Sequence, residues 1–187
     1  HVDLRDRVIN RAAGFQLTHG THVTGIAAGG GIKDPLFQGV APLARVVAQL
    51  FNGIFLNAGP YISDYNMVVT NNSWGNITGE CDLTGVYDTY SKLMDDISIQ
   101  YPYLLNIFAA GNDGPFTCRG YPLQYHTIVS GHQSAKNVLS VAWGEKNQTV
   151  SLSSSIGPAA DGRLKPEITA QGSGVRSTAP GHNYFTD

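Results

Sequence analysis

The sequence predicts an α/β fold with a doubly wound, mainly parallel sheet flanked by helices. Two observations predict it: short apolar runs bounded by Gly and Pro, and one long amphipathic segment between two of those runs. Continuous apolar runs of this length are typical of strands buried on both faces of a parallel sheet. The order strand, helix, strand with short connections is typical of βαβ units.

The first predicted element is a helix that begins near Thr18 and ends at the glycines 29–31. Strands are predicted over 45–51, 67–71, 103–110 and 138–142. A second helix is predicted within 83–100, because its apolar side chains fall at i, i+4, i+7, i+8 and i+11 and form one face. These side chains are Val86, Tyr90, Leu93, Met94 and Ile97.

Composition restricts the class of protein. The chain has 187 residues, of which 42% are hydrophobic and 14% charged, so it resembles one globular domain over 1–187 and not a disordered chain. A net charge of −2 gives no basic surface for a phosphate backbone, so no nucleic-acid partner is expected. No apolar run approaches the roughly 18 residues of a membrane span.

A pair of histidines opens the first predicted helix. His19 and His22 lie at i and i+3 in the segment 19–25 (HGTHVTG). Such a pair could bind a metal, but no Glu follows the first His as in the zinc-peptidase helix, and no third ligand is evident. His22 is interpreted as structural. A histidine held in the first turn of a helix suits a general base, which is the hypothesis for His19.

Two predicted strands end in small and polar residues. The run 108–114 (FAAGNDG) places Asn112 directly after an apolar strand, at the edge where open α/β sheets bind ligands. An amide there can donate to a developing oxyanion, although Asn-Asp-Gly is also ordinary turn chemistry. The segment 68–75 (VVTNNSWG) is a second strand that runs into a small, polar loop.

These segments, in this order, resemble the subtilisin-like serine peptidases. HGTHVTG resembles the histidine motif, the segment 39–50 the strand entry that follows it, NNSWG the substrate-strand motif, and FAAGNDG the oxyanion-asparagine motif. The segments 153–158 and 165–170 resemble later parts of the same domain. The resemblance spans essentially the whole chain.

The resemblance implies a role for each matching residue. His19 would be the general base of an Asp-His-Ser triad, and Asn112 the side-chain donor of the oxyanion hole. Two segments would flank the pocket for the residue before the scissile bond, and Trp74 suggests a bulky apolar wall there. The segments are Ser73, Trp74 and Gly75, and Ala109, Ala110 and Gly111.

Two triad members are missing from the 187 residues. No apolar strand ends in Asp-Ser/Thr-Gly, and Asp3 belongs to a stretch (HVDL) that resembles the segment just after the triad aspartate. The segment 177–187 resembles the one that leads into the serine motif, and Ser153–Ser155 belong to another segment. The expectation is a partial domain, lacking the Asp strand and the Ser helix, that is inactive alone.

The two cysteines, Cys81 and Cys118, have no metal-like spacing and could be one disulfide or two buried thiols. In the resembled fold they follow neighbouring strands, so a Cys81–Cys118 bridge would rim the pocket and suit a secreted or extracytoplasmic enzyme. No cofactor is expected and no metal ligand is assigned. Structural calcium is common in the family, but 29–38 has no cluster of Asn and Asp, and Asp34 is a single candidate.

Three functions are compared. The first is a serine endopeptidase acting on protein or peptide substrates, and the second is a non-catalytic relative that serves as a binding module. The third, a nucleotide-binding domain, rests only on the glycines 29–31 and 172–174, which lack the dinucleotide fingerprint. His19 and Asn112 together favour the peptidase.

Overall fold

The computed structural model describes residues 1–12, 18–75 and 80–186, so Asp187 of the segment 177–187 lies outside the described residues. The helices are α1 (Thr18–Ala28), α2 (Gly53–Leu56), α3 (Ala58–Tyr65) and α4 (Thr89–Gln100). The strands are β1 (Val8–Asn10), β2 (Val46–Ala48), β3 (Val69–Asn72), β4 (Leu105–Ala109), β5 (Leu139–Gly144), β6 (Ile168–Gln171), β7 (Arg176–Ala179) and β8 (Asn183–Thr186). Across these three ranges, no helix has the length and apolar character that crossing a membrane requires.

The chain forms two compact units. The first unit is His1–Ile54 with Gly174–Asp187, and the second is Phe55–Ser173. In the second unit a parallel sheet has the order β3-β4-β5-β6, and helix α4 connects β3 to β4. The parallel sheet and its helix confirm the predicted α/β class.

Helix α4 is shorter than the predicted segment 83–100. It begins at Thr89 because Asp88 caps it: the Asp88 carboxylate accepts from the N–H groups of Tyr90 (2.8 Å) and Ser91 (3.1 Å), and the Ser91 hydroxyl accepts from the Asp88 N–H. Gly85, at φ +66°, bends the chain before the cap. Val86 therefore lies outside the helix on whose face it was predicted.

The prediction that the strands are buried on both faces is wrong for one face of β4. In β4 the side chains of Asn106 and Phe108 are completely buried, whereas Leu105 and Ala109 on the opposite face are exposed. The ring of Phe108 stacks on His132, at 5.4 Å between ring centroids, in the short 3-10 helix Gly131–Ser134. The covered face of β4 is therefore the one packed against this helix. Burial alternates along β3, β4 and β5, as in strands covered on one face, whereas β6 is exposed throughout.

The first unit holds two small sheets. The predicted strand 45–51 is extended only over β2, which pairs in parallel with β1. Strands β7 and β8 form an antiparallel hairpin that packs on α1. Strands β1, β6, β7 and β8 were not predicted, since each is only three or four residues long and no long apolar run marks them.

Candidate active site

Two of the predicted site segments leave neighbouring strands at the same edge of the sheet. Strands β3 and β4 are parallel, with Asn72 opposite Phe108. Residues 73–75 follow β3 and residues 110–112 follow β4, so both segments emerge at the carboxyl ends of adjacent strands. Open α/β sheets bind ligands at this edge.

A buried polar ladder fixes the two strands against each other. The Thr70 hydroxyl donates to the Asn106 side-chain oxygen at 2.8 Å. The Asn72 amide donates to the Thr70 hydroxyl at 2.9 Å and to the Ile107 carbonyl at 3.0 Å. All three polar side chains are buried. Because buried polar groups hold their partners strongly, this ladder sets the register just before both segments leave the sheet.

The loop that carries Asn112 is built for an exposed amide. Gly111 has φ +123°, a conformation that favours glycine, and Asn112 itself is exposed. Ser155 holds the loop from behind: its N–H donates to the Gly111 carbonyl at 2.9 Å, and its hydroxyl accepts from the Asp113 N–H at 2.9 Å. The amide of Asn112 is thus presented at the surface by a fixed backbone.

Asp113 is an unusual neighbour for that amide. Its side chain is 4% exposed, and Oδ2 has no hydrogen-bond partner among the described residues. Burial raises the pKa of this carboxyl above its ordinary value. Burial thus disfavours a negative charge on Asp113 beside the Asn112 amide.

Trp74 points into the covered face of the sheet. Its ring packs against His132 at 4.9 Å and Phe108 at 5.8 Å between centroids. The Trp74 carbonyl accepts from the side-chain amide of Gln133 at 2.8 Å. The Trp74 side chain is half-buried, and its role as a bulky pocket wall stays a prediction.

Sequence reasoning did not identify His132 and Gln133. His132 is 2% exposed and lies among the rings of Phe55, Trp74, Tyr90 and Phe108. Burial lowers the pKa of His132, while the nearby Asp88 carboxylate acts in the opposite direction. The only sequence signal was a polar Gly-His-Gln-Ser run before an apolar strand, which is also typical of a solvated turn.

Cys81 and Cys118 form a disulfide that joins residues 37 apart in the sequence. This confirms the bridge and excludes two free thiols. Arg119 ties the same two segments together, because its Nε donates to the Cys81 carbonyl at 3.0 Å. The bridge anchors the chain that follows Asn112 to the segment before α4.

His19 lies in the first unit, in the first turn of α1, and is exposed. Two hydroxyls of β7 hold the helix: Ser177 donates to the His22 carbonyl at 2.9 Å and Thr178 to the Thr21 carbonyl at 2.8 Å. The strand comes this close because Gly25 has no side chain, and a Cβ there would overlap both hydroxyls. These contacts fix the rotation of the helix that carries His19.

His22, one turn further on, is buried and holds the hairpin. Its Nε2 lies 3.1 Å from the Val175 carbonyl oxygen and 3.2 Å from the Phe185 carbonyl oxygen. Since both neighbours are acceptors, Nε2 carries the proton and donates to them. The contacts agree with the structural interpretation of His22. Among the described residues, no three His, Cys, Asp or Glu side chains cluster as a metal site would require.

Comparison with known proteins agrees with the motifs. Residues 7–187 match the model of the subtilase family, Peptidase_S8. The chain belongs to the subtilase family, as the resemblance of its motifs predicted.

Solved structures share the fold. The prenylagaramide maturation protease PagA is 21% identical, with a TM-score of 0.68, and the match covers 98% of this chain and 64% of PagA. The CspB protease of Clostridium perfringens is 15% identical with a TM-score of 0.71, over 91% of this chain and 66% of CspB. The epidermin leader peptide processing protease EpiP of Staphylococcus aureus is 17% identical with a TM-score of 0.61, over 90% of this chain and 48% of EpiP. The chain thus spans less than two thirds of each of these three structures.

Proposed function

We propose that residues 1–187 are part of the catalytic domain of a serine endopeptidase that hydrolyses peptide bonds of protein substrates. The observation that carries the proposal is the family match over 7–187, which contains His19 and Asn112 in the histidine and oxyanion motifs. The exposed His19 on a fixed helix and the exposed Asn112 on a fixed loop support the same roles.

In the proposed reaction His19 is the general base. It takes the proton of a serine hydroxyl as the serine oxygen bonds to the scissile carbonyl carbon, and the carbonyl oxygen becomes negative. His19 then gives that proton to the leaving amine as the C–N bond breaks. Water, deprotonated in turn by His19, hydrolyses the acyl-enzyme and restores the serine.

Asn112 is proposed to stabilise the negative oxygen by donating from its side-chain amide. Such donors act strongly because they are already oriented when charge develops. Loss of the equivalent asparagine in subtilisin lowers kcat by about 10²–10³-fold, and we take this magnitude for Asn112. The backbone contacts from Ser155 support the required orientation.

An extended peptide is proposed to bind along two segments, through backbone pairing in the manner of an added strand. The segments are Ser73, Trp74 and Gly75, and Ala109, Ala110 and Gly111. Both leave parallel neighbouring strands at one edge, which supports this placement.

The triad aspartate and serine are proposed to lie outside residues 1–187. Neither Asp-Ser/Thr-Gly nor Gly-Thr-Ser occurs in these residues, so we propose that they do not hydrolyse peptides alone. The chemistry requires no cofactor. The disulfide supports a secreted or extracytoplasmic location, since such bonds persist in oxidising compartments.

The proposal is tested by hydrolysis of casein and of a mixed peptide library by the full-length protein. Cleavage that is abolished by His19→Ala supports it. Binding of peptides without any cleavage by a folded wild-type protein would contradict it and favour the binding module.

A further inference from the structure

One buried valine lies between the two segments that are proposed to bind the substrate. The Cγ1 methyl of Val129 is 3.4 Å from the position that a Cβ on Gly75 would take. Its Cγ2 methyl lies still closer to the corresponding position on Gly111. Each methyl thus faces one glycine. Val129 shares the space beside the glycines with Gln133, whose Nε2 is 2.6 Å from the Gly75 position, and with Ser155, whose Oγ is 2.7 Å from the Gly111 position.

The backbone of Val129 is held on both sides. Its N–H donates to the Ala110 carbonyl at 3.1 Å, and its carbonyl accepts from the Ser134 hydroxyl at 3.0 Å. The preceding residue, Ile128, donates to the Ile156 carbonyl at 3.0 Å and accepts from the Gly85 N–H at 2.8 Å. Because four hydrogen bonds fix this dipeptide, the valine cannot withdraw without breaking them.

The packing behind the valine is equally tight. Val129 is 2% exposed, and Ile128, Ala110 and Ala159 form a fully buried apolar cluster beside it. Protein interiors are close-packed and tolerate added volume poorly. A large side chain entering between Gly75 and Gly111 would therefore collide with an isopropyl group that has nowhere to move.

We propose that Val129 closes the base of the pocket for the residue before the scissile bond and restricts that residue to Gly, Ala or Ser. This inference rests on the proposed peptidase function and specifies its substrate class. Pockets discriminate strongly against side chains that do not fit, and one methylene changes kcat/KM by roughly 10–200-fold. Larger residues such as Leu and Phe are rejected by steric exclusion.

The test uses the full-length protein and peptides that differ only at the residue before the cleaved bond: Gly, Ala, Leu and Phe. Wild type is expected to prefer Ala over Leu and Phe. Val129→Ala is expected to raise the Leu/Ala ratio of kcat/KM by roughly 10–200-fold. Val129→Ile is expected to shift the preference the other way, lowering the Ala/Gly ratio.

Val138→Ala is the matched control. Val138 is also buried, at 4% exposed, but lies just before the amino end of β5, away from the carboxyl-end loops. The same truncation there is expected to leave the Leu/Ala ratio unchanged.

The outcomes separate this inference from the function on which it rests. Failure of the wild-type protein to hydrolyse any peptide would contradict the peptidase function. Hydrolysis with a preference for Leu or Phe would overturn the role of Val129 alone, as would ratios that neither variant changes. Opposite shifts in the two variants support it, and where one variant is too unstable to assay, the predicted shift in the other supports it.

Discussion

The Ser155 hydroxyl accepts a hydrogen bond from the backbone N–H of Asp113 at 2.9 Å, directly behind the exposed amide of Asn112. Ser155 is completely buried, so this bond is not exchanged with water. A segment that the sequence assigned to another part of the domain therefore supports the proposed oxyanion donor.

Ser155→Ala is expected to lower kcat with little change in KM, because the loop that orients Asn112 loses its support. A displacement of about 1 Å can lower the rate by about 10²-fold. The unsatisfied N–H is expected to lower the free energy of unfolding by about 1–3 kcal/mol. Steady-state kinetics and urea unfolding measure both effects. Ser153→Ala, two residues away, is the control, and equal effects from both variants would contradict this role of Ser155.

The disulfide is expected to contribute substantially to stability. Closing a loop of 37 residues restricts the unfolded chain by about 4 kcal/mol. Replacing Cys81 and Cys118 together by Ser is expected to lower the free energy of unfolding by up to that amount in urea titrations. Thiol titration of the denatured, unreduced protein provides the direct check, and two reactive thiols there would show that the bridge does not form.

An ion pair between the buried Lys165 and the partly exposed Glu167, whose side chain is 33% exposed, supports strand β5. The Lys165 ammonium, on a side chain that is 1% exposed, lies 2.6 Å from Glu167 Oε1, and Glu167 Oε2 accepts from the Ser140 N–H at 2.7 Å. Burial lowers the pKa of Lys165, and Glu167 opposes this.

Glu167→Ala leaves the buried ammonium without its counter-ion, while Nζ still donates to the Val138 carbonyl at 3.2 Å. Because Glu167 is partly exposed, the variant is expected to destabilise the protein by at most about 3 kcal/mol in thermal or urea unfolding. The double variant Lys165→Met, Glu167→Leu removes both charges and is expected to be less destabilised than Glu167→Ala. A double variant that is less stable than Glu167→Ala would contradict the expected cost of leaving the Lys165 ammonium without its counter-ion.

His132 is expected to make stability depend on pH. Burial lowers its pKa in the folded state, so below the unfolded value near 6.5 the unfolded chain binds more protons. The stability present above pH 6.5 is therefore lost progressively as pH falls from 6.5 towards the folded pKa.

Thermal unfolding between pH 7.5 and 5 measures this effect. His132→Phe, which keeps an aromatic ring among Phe55, Trp74 and Phe108, is expected to flatten the decline. An identical pH dependence in wild type and variant would assign the decline to other groups.

Periodicity and motif order predicted the sheet and the helices α1 and α4, because each depends on local signals that a long apolar run supplies. The start of α4 was missed because the Asp88 cap, and not the apolar spacing, decides it. Strands β7 and β8 were missed because they are short and are stabilised by nonlocal bonds to Thr21 and His22.

The sequence indicates candidate site residues only where a single residue type suits the proposed chemistry, as for His19 and Asn112, whose roles stay predictions. Residues that act through packing gave no such signal. Val129 is an ordinary apolar residue in the sequence, and only the fold places its methyls against Gly75 and Gly111. Likewise, the support from Ser155 is a contact between segments about forty residues apart.

Labelling of the full-length protein by a fluorophosphonate tests the central claim most directly, because the reagent reacts with a serine that a neighbouring base has activated. We predict stoichiometric labelling of the folded wild-type protein at one serine, and a loss of labelling rate of at least about 10³-fold in His19→Ala. A folded wild-type protein that is not labelled, or a His19→Ala variant that is labelled as fast as wild type, would contradict the assignment of His19 as the general base.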